Sequence, residues 1–268
     1  MPADKENDWR LRDYDLAEAA IREAGTLASA YFHGAPQTWA KADDSPVSEA
    51  DLAVDRQLRR RLGAARPDYG WISEEVEDDP QRLDKARCWV IDPIDGTRAF
   101  LSGVPEWVIS VALVEAGTPI LGLLFNPQTQ ELFSAIRGDG AKLNGAPIQA
   151  SQHDQIDNAR IIATSKMRRT KWRTPWPPMQ TSYVNSLAYR IARVGTGQAD
   201  ATLALSRFHE WDIAAADLIL TEAGGTFTDL SGLGFRYNQP SLRRPGCIGA
   251  NPGLHQKLVD FIAGNLPA

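Results

Sequence analysis

The sequence predicts a mixed α/β protein in two halves: an α+β half over residues 10–156 and a smaller α/β half over residues 157–268. Two observations carry this expectation. Helical stretches with one apolar face precede three consecutive strand-like runs at 107–114, 120–126 and 131–136. The turns between those runs, Glu115-Ala116-Gly117 and Pro127-Gln128-Thr129, are short enough for an antiparallel meander. After a polar stretch at 154–158, short strands and helices alternate to the C-terminus.

Composition narrows the class. With 43% hydrophobic and 24% charged residues, the chain reads as an ordinary globular protein. A net charge of −5 argues against a nucleic-acid partner. Cys88 and Cys247 make no disulfide framework and stand in no metal-type spacing, which points to a reducing compartment. The N-terminus carries Asp4, Glu6 and Asp8, so no signal peptide is expected there, and no apolar run reaches membrane-spanning length. A cytoplasmic protein without a membrane partner is expected. The four histidines are scattered singly, and none is assigned to a metal.

In chain order, Asp13 is placed to cap a helix over 14–31, with Leu16, Ala20, Leu27 and Tyr31 near one face and Gly34 and Pro36 ending it. A short strand at 39–41 and the polar turn Asp43-Asp44-Ser45-Pro46 follow. Ser48 and Asp51 then form a capping-box-like pair before Val54, Leu58 and Leu62, spaced four apart on one helical face. A strand over 69–73 ends in Glu74-Glu75. Asp51 is at home in a first helical turn, and an acidic pair at a strand end is an ordinary loop, so neither acid alone implies chemistry.

The stretch Trp89-Val90-Ile91-Asp92-Pro93-Ile94-Asp95-Gly96-Thr97 says more. Cys88 to Ile91 reads as a buried strand stopping at Asp92-Pro93. Two carboxylates three residues apart then sit on a turn with Gly96, and Thr97 is a candidate N-cap for the helical run Arg98-Ala99-Phe100-Leu101. A helix start offers N–H groups to a phosphate, and carboxylates offer hard oxygens to Mg²⁺. The same pattern also fits a plain turn after a core strand.

Farther on, Gly138-Asp139-Gly140 and Asn144-Gly145 mark a hairpin, and a strand restarts at 160–163. Over 166–178, Lys166, Arg168, Arg169, Lys171 and Arg173 interleave with Trp172 and Trp176. That segment suits a solvated loop, or one that holds a second phosphate or a base. Helices are expected at 182–194 and 210–223, the second with Asp212 in its first turn and Gly224-Gly225 at its end. Strands are expected at 201–204 and 247–250, and Asn251-Pro252 opens a last helix.

Glu74, Asp92, Asp95 and Asp212 are thus four carboxylates, each at the edge of an element. The motifs Ser45-Pro46-Val47-Ser48-Glu49-Ala50-Asp51, Ile72-Ser73-Glu74-Glu75, the Trp89-to-Thr97 stretch and Trp211-Asp212-Ile213-Ala214-Ala215-Ala216 stand in this order. Together they resemble the inositol monophosphatase superfamily, the lithium-sensitive magnesium-dependent phosphatases.

The resemblance implies a layered α/β/α/β/α sugar-phosphatase fold, a homodimer and two or three Mg²⁺ per site. It implies metal ligands Glu74, Asp92, Asp95, Asp212 and the carbonyl of Ile94. It implies catalytic roles for Asp51, Glu74 and Thr97, and substrate contacts at Gly96, Thr97, Arg98 and Ser186. The reaction implied is hydrolysis of a small phosphate ester.

Inositol-specific members resemble one another in a glutamate seven residues before the Trp-Asp aspartate. Here that position is Leu205. Thr97-Arg98-Ala99-Phe100 and Glu106-Trp107 are more similar to the 3'(2'),5'-bisphosphate nucleotidase branch. That branch often has Gly-Ser-Ser-Leu-Lys where this chain has Val184-Asn185-Ser186-Leu187-Ala188. The histidinol-phosphatase branch shares the Asp-Pro-Ile-Asp-Gly-Thr-Arg-like motif but usually has Tyr-Asp at Trp211-Asp212. A bisphosphate nucleotide is the favoured substrate, with inositol 1-phosphate and histidinol phosphate as alternatives. A binding protein that kept the fold and lost catalysis is the alternative class; it calls for a missing carboxylate or Thr97, and none is missing.

Overall fold

The computed structural model describes residues 3–34, 36–40 and 46–265. Five layers are stacked. The first holds helices α1 (Ala3–Phe32) and α2 (Glu49–Leu58). Strands β1 (Thr38–Ala40) and β2 (Pro46–Ser48) form a ribbon between them. Of the polar turn expected at 43–46, residues 43–45 lie outside the described residues, and Pro46 opens β2.

The second layer is a sheet of β3 (Gly70–Ser73), β4 (Arg87–Asp95), β5 (Val108–Glu115), β6 (Thr118–Asn126), β7 (Glu131–Ile136), β8 (Ala141–Leu143) and β9 (Ala146–Pro147), paired in chain order. It is antiparallel except for β3 beside β4. Helix α3 (Thr97–Leu101) follows β4. The predicted meander is β5 to β7, and Asn144-Gly145, both at positive φ, turns the last hairpin.

The fourth layer is a sheet in the order β11 (Gln180–Ser182), β10 (Arg160–Ile162), β12 (Ala201–Ala204), β16 (Cys247–Ala250), β14 (Thr226–Asp229). A small ribbon pairs β13 (Phe208–His209) with β15 (Arg243–Arg244). Helices α5 (Leu187–Gly195) and α6 (Ala214–Glu222) lie between the sheets. Helices α4 (Ser165–Arg169) and α7 (Pro252–Asn265) lie outside the fourth layer.

Alternation along β4 explains the stacking. Trp89 and Ile91 face α1 and α2, joining Ile21, Val54 and Leu58. Cys88 and Val90 face inward with Ile191, Leu218 and Leu220 of α5 and α6. A strand buried on both faces must be apolar throughout, which is why 88–91 reads as an unbroken apolar run. A third cluster joins Ile161, Leu203 and Ile248 to Leu254, Leu258 and Ile262 of α7. The first sheet ends at Pro147 and the second begins at Arg160, but the inner core draws on residues from both. Among the described residues no helix is long and apolar enough to cross a membrane.

Several expectations are corrected. Asp13 does not cap a helix: α1 starts earlier, and Asp13 is buried within it, accepting from Arg66 Nε at 2.6 Å and Tyr69 Oη at 2.8 Å. Residues 180–182 form β11 by parallel pairing with β10, so the helix expected from 182 begins at Leu187. Strand β4 runs through Pro93 to Asp95 instead of stopping at Asp92.

On α6, Asp217 accepts from the hydroxyl of fully buried Tyr237 at 2.6 Å and from Thr221 Oγ1 at 3.1 Å. Burial pushes its carboxyl up to about 6. The folded chain therefore keeps a proton that the unfolded chain releases, and stability from this group declines as pH rises from roughly 4 to about 6. Asp217→Asn is expected to lose that component of slope. Urea midpoints of both proteins over this window, in excess chelator, check it; parallel profiles would refute it.

Candidate active site

The site forms where β4 changes register. Asp92 pairs opposite Ser110 and Asp95 opposite Val108, so β4 carries one extra residue there. In a regular strand, residues three apart face opposite sides of a sheet. The bulge cancels that and turns both carboxylates toward one cleft. Pro93 falls inside the irregular stretch, where its missing N–H costs no regular pairing. The N–H of Ile94 donates to Asp92 Oδ1 at 3.0 Å.

Asp212 arrives from the other half. It sits on the turn before α6, two residues ahead of Ala214, and not in the helix as expected. Its Oδ2 accepts from the His209 N–H at 2.7 Å, while the His209 and Trp211 rings stack at 4.4 Å. Carboxylate oxygens of Asp92, Asp95 and Asp212 all lie within 4.8 Å of one another. Glu74, just beyond β3, stands outside that trio, with its N–H donating to Ile91 O at 3.4 Å. Its charge nonetheless acts on Asp51, Asp92 and Asp212.

Gathering carboxylates in a buried place strains their ionisation. Asp92 is held well above the carboxylate range, first by burial and then by Glu74, Asp95 and Asp212. Burial, then Asp95 and Glu74, does the same to Asp212. Burial lifts Asp95 to about 6 against the bonds from Ser186 and Ala188 and the Arg190 charge. Asp51 also rises to about 6 by burial, opposed by Ser48. A group of oxygen donors in mutual repulsion fits a hard divalent cation.

Around the trio, the expected residues fall as follows. Asp51 completes the capping box: Ser48 N and Oγ donate to its Oδ2 at 2.8 and 2.6 Å. The one proton of the Thr97 hydroxyl has two acceptors in reach, Asp51 Oδ1 at 3.4 Å and Ile94 O at 3.1 Å. Thr97 is thus not the N-cap of α3; Gly96 is, at φ 101°. Arg98 is exposed beside it. Ser186 is fully buried behind Asp95, donating to Asp95 Oδ2 at 2.6 Å and accepting from Tyr189 N at 2.9 Å. Asp95 also takes N–H groups of Leu187 and Ala188 at 3.3 and 2.6 Å, so it caps α5 from the other half of the chain.

Arg190 was not anticipated. It is 6% exposed on α5, its Nε donates to Ser186 O at 3.2 Å, and its Nη1 is buried with no partner among the described residues. The charges acting on it include Asp95 and Asp212. No local signal in the sequence sets it apart from the other arginines.

The basic segment at 166–178 is partly docked. Trp172 and Trp176 pack edge to face at 5.0 Å and lie on Phe261 of α7. Both rings are half-buried against the outer core. Lys166 Nζ instead donates to Leu205 O at 3.0 Å.

A carboxylate cluster at the seam of an α/β/α/β/α stack defines the class: a phosphoric monoester hydrolase of the layered sugar-phosphatase type. A family model described as the inositol monophosphatase family matches residues 10–263. The chain is 32% identical to a histidinol-phosphatase of Chlorobaculum parvum, over 93% of this chain and 96% of that protein. It is 36% identical to an inositol-1-monophosphatase of Rhizobium meliloti, over 70% of this chain and 73% of that protein. Among solved structures, an IMPase of Thermotoga maritima is 27% identical with a TM-score of 0.80, covering 93% of this chain and 96% of that one. The protein belongs to the inositol monophosphatase family, a magnesium-dependent family whose acidic cluster is present here.

Proposed function

We propose that the protein hydrolyses a small phosphate monoester that carries a second anionic group, a 3'(2'),5'-bisphosphate nucleotide being the favoured substrate. The carboxylate trio within 4.8 Å is the observation that carries the hydrolytic reading. Asp92, Asp95, Asp212, Glu74 and the carbonyl of Ile94 would hold Mg²⁺, two or three ions in all. Bound there, magnesium would supply the positive charge that polarises the ester and acidifies a water.

The remaining work falls to the chain. Asp51 and Thr97 orient the attacking water: the Thr97 proton is directed to Asp51 Oδ1 or Ile94 O, which leaves the hydroxyl oxygen able to accept. The N–H groups of Gly96 and Thr97, at the first turn of α3, receive the phosphate oxygens. Ser186 fixes the orientation of Asp95 from behind.

Three features support a second anionic group. Leu205 gives a sugar hydroxyl no polar partner, Lys166 holds its ammonium beside Leu205, and Arg190 keeps an unpartnered N–H near the acids. Arg98 adds an exposed charge next to Thr97. A buried, unsatisfied guanidinium N–H is costly, and an anion relieves that cost. The likeness to a histidinol-phosphatase favours histidinol phosphate as a second reading. The homodimer implied by the resemblance, and a reducing compartment for the free buried Cys88 and Cys247, belong to the same proposal.

Phosphate release over a panel of adenosine 3',5'-bisphosphate, inositol 1-phosphate and histidinol phosphate tests the substrate. The bisphosphate is expected to exceed inositol 1-phosphate in kcat/KM by at least about tenfold, or about 1.4 kcal/mol. A better rate with inositol 1-phosphate or histidinol phosphate would overturn it.

A further inference from the structure

Arg82 lies on a single 3-10 turn, Pro80–Asp84, a short way beyond Glu74. It is 2% exposed, and burying a guanidinium is costly unless its donors find partners. Every nitrogen of this one does. Nε and Nη2 grip Asp78 at 2.5 and 2.9 Å, Nη1 donates to Asn238 Oδ1 at 2.6 Å, and Nη2 also reaches Gln239 O at 3.0 Å. Asn238 and Gln239 in turn donate their N–H groups to the buried carboxylate of Glu210 at 2.6 and 3.3 Å. Arg244 closes an ion pair on the same carboxylate. The Glu210 carbonyl then accepts from Ile213 and Ala214 at 3.2 and 2.9 Å, which shapes the turn that carries Asp212.

At its other side, Arg82 packs on the strand that leads to Glu74. A Cβ on Gly70, the first residue of β3, would stand 2.9 Å from Arg82 Cβ and 3.1 Å from Cys88 Sγ. Only glycine leaves room for Arg82 there. The start of β3, the 78–82 segment, the 238–239 loop and the Asp212 turn are therefore one hydrogen-bonded and packed unit built across both halves.

We propose that Arg82 is a positioning residue that sets where Glu74 and Asp212 stand relative to Asp92 and Asp95. Asp92 and Asp95 are held by the β4 bulge and α5, without Arg82. Glu74 and Asp212, by contrast, come from segments that meet through the Arg82 side chain. Loosening it would leave Asp92 and Asp95 in place and misplace Glu74 and Asp212 relative to that pair, so cation affinity is what it controls. This rests on the magnesium reading above.

Calorimetric titration of Mg²⁺ into the full chain tests it. Arg82→Met is expected to weaken Mg²⁺ binding at least about fivefold and to raise the Mg²⁺ needed for half-maximal turnover to match, as outer-shell changes at metal sites do. Substrate KM at saturating Mg²⁺ should move less than about twofold, and Arg82→Lys, lacking the planar fork, should recover only part. Asn238→Ala cuts the same tie from the other half and should shift affinity in the same direction; it carries the test if Arg82→Met fails to fold. Arg160→Met, which breaks the pair with Asp200 in the fourth layer, controls for general destabilisation and should leave Mg²⁺ affinity where it was. An unshifted affinity in a folded Arg82 or Asn238 variant overturns the proposal, as does an equal shift in Arg160→Met. A wild-type protein that takes up no Mg²⁺ would sink the magnesium reading itself.

Discussion

Asp95→Asn is expected to cut turnover by at least about a hundredfold while the protein stays folded. The substitution keeps volume but removes one charge from a trio whose oxygens lie within 4.8 Å, and that charge is what a divalent cation would be held by. It also sets an amide NH₂ against groups that now donate to Asp95: Ser186 Oγ, Leu187 N and Ala188 N. Losing part of that cap costs roughly 0.5–2 kcal/mol. Relief of repulsion with Asp92 and Asp212 offsets some of it. The prediction is thus a large kinetic loss beside a small shift in melting temperature, read by phosphate release and thermal unfolding of one preparation. Wild-type turnover in the variant would remove the metal mechanism.

Gly96→Ala should be nearly as damaging, for a steric reason. Gly96 sits at φ 101°, and a Cβ there would stand 2.8 Å from the carbonyl oxygen of Glu106. The backbone must shift or hold a strained conformation at about 1–3 kcal/mol. The clash with Glu106 makes a shift the expected outcome, and a shift moves Thr97, whose hydroxyl lies between Asp51 and Ile94. Displacement of about 1 Å in a positioned group costs on the order of a hundredfold in rate. The expected variant is folded, somewhat less stable and slower by about ten- to a hundredfold. Native kcat with native stability would show that the turn tolerates a side chain.

The acidic residues were legible in the sequence because each sits beside a local signal: Asp51 in a capping box, Asp92 and Asp95 after an apolar run, Asp212 before an alanine-rich helix. Strands 201–204 and 247–250 were legible as well, since short apolar segments between turn residues leave few options. What escaped depended on distant partners. Asp13 has the residue type and position of a cap, yet Arg66 and Tyr69, more than fifty positions on, draw it into the interior. Ser182 and Ser186 are equally good caps by type. Only the second meets Asp95, and the first is claimed by pairing with β10.

Arg82 and Arg190 are two arginines among many, and no local pattern says which will be buried. Nor does spacing show that Trp172 and Trp176 face Phe261 rather than a ligand. Both cases turn on which layer the segment docks against, and that is decided by the whole stack.

The capping of α5 by Asp95 has a consequence for biosynthesis. A ribosome releases Asp51, Glu74, Asp92 and Asp95 when less than half of the chain is made, but α5 and Asp212 emerge much later. Until then Asp95 lacks the N–H groups that orient it, and the cluster lacks its third member. A nascent or truncated chain is therefore expected to be inert, with hydrolysis beginning only once the last-made half has docked on the first.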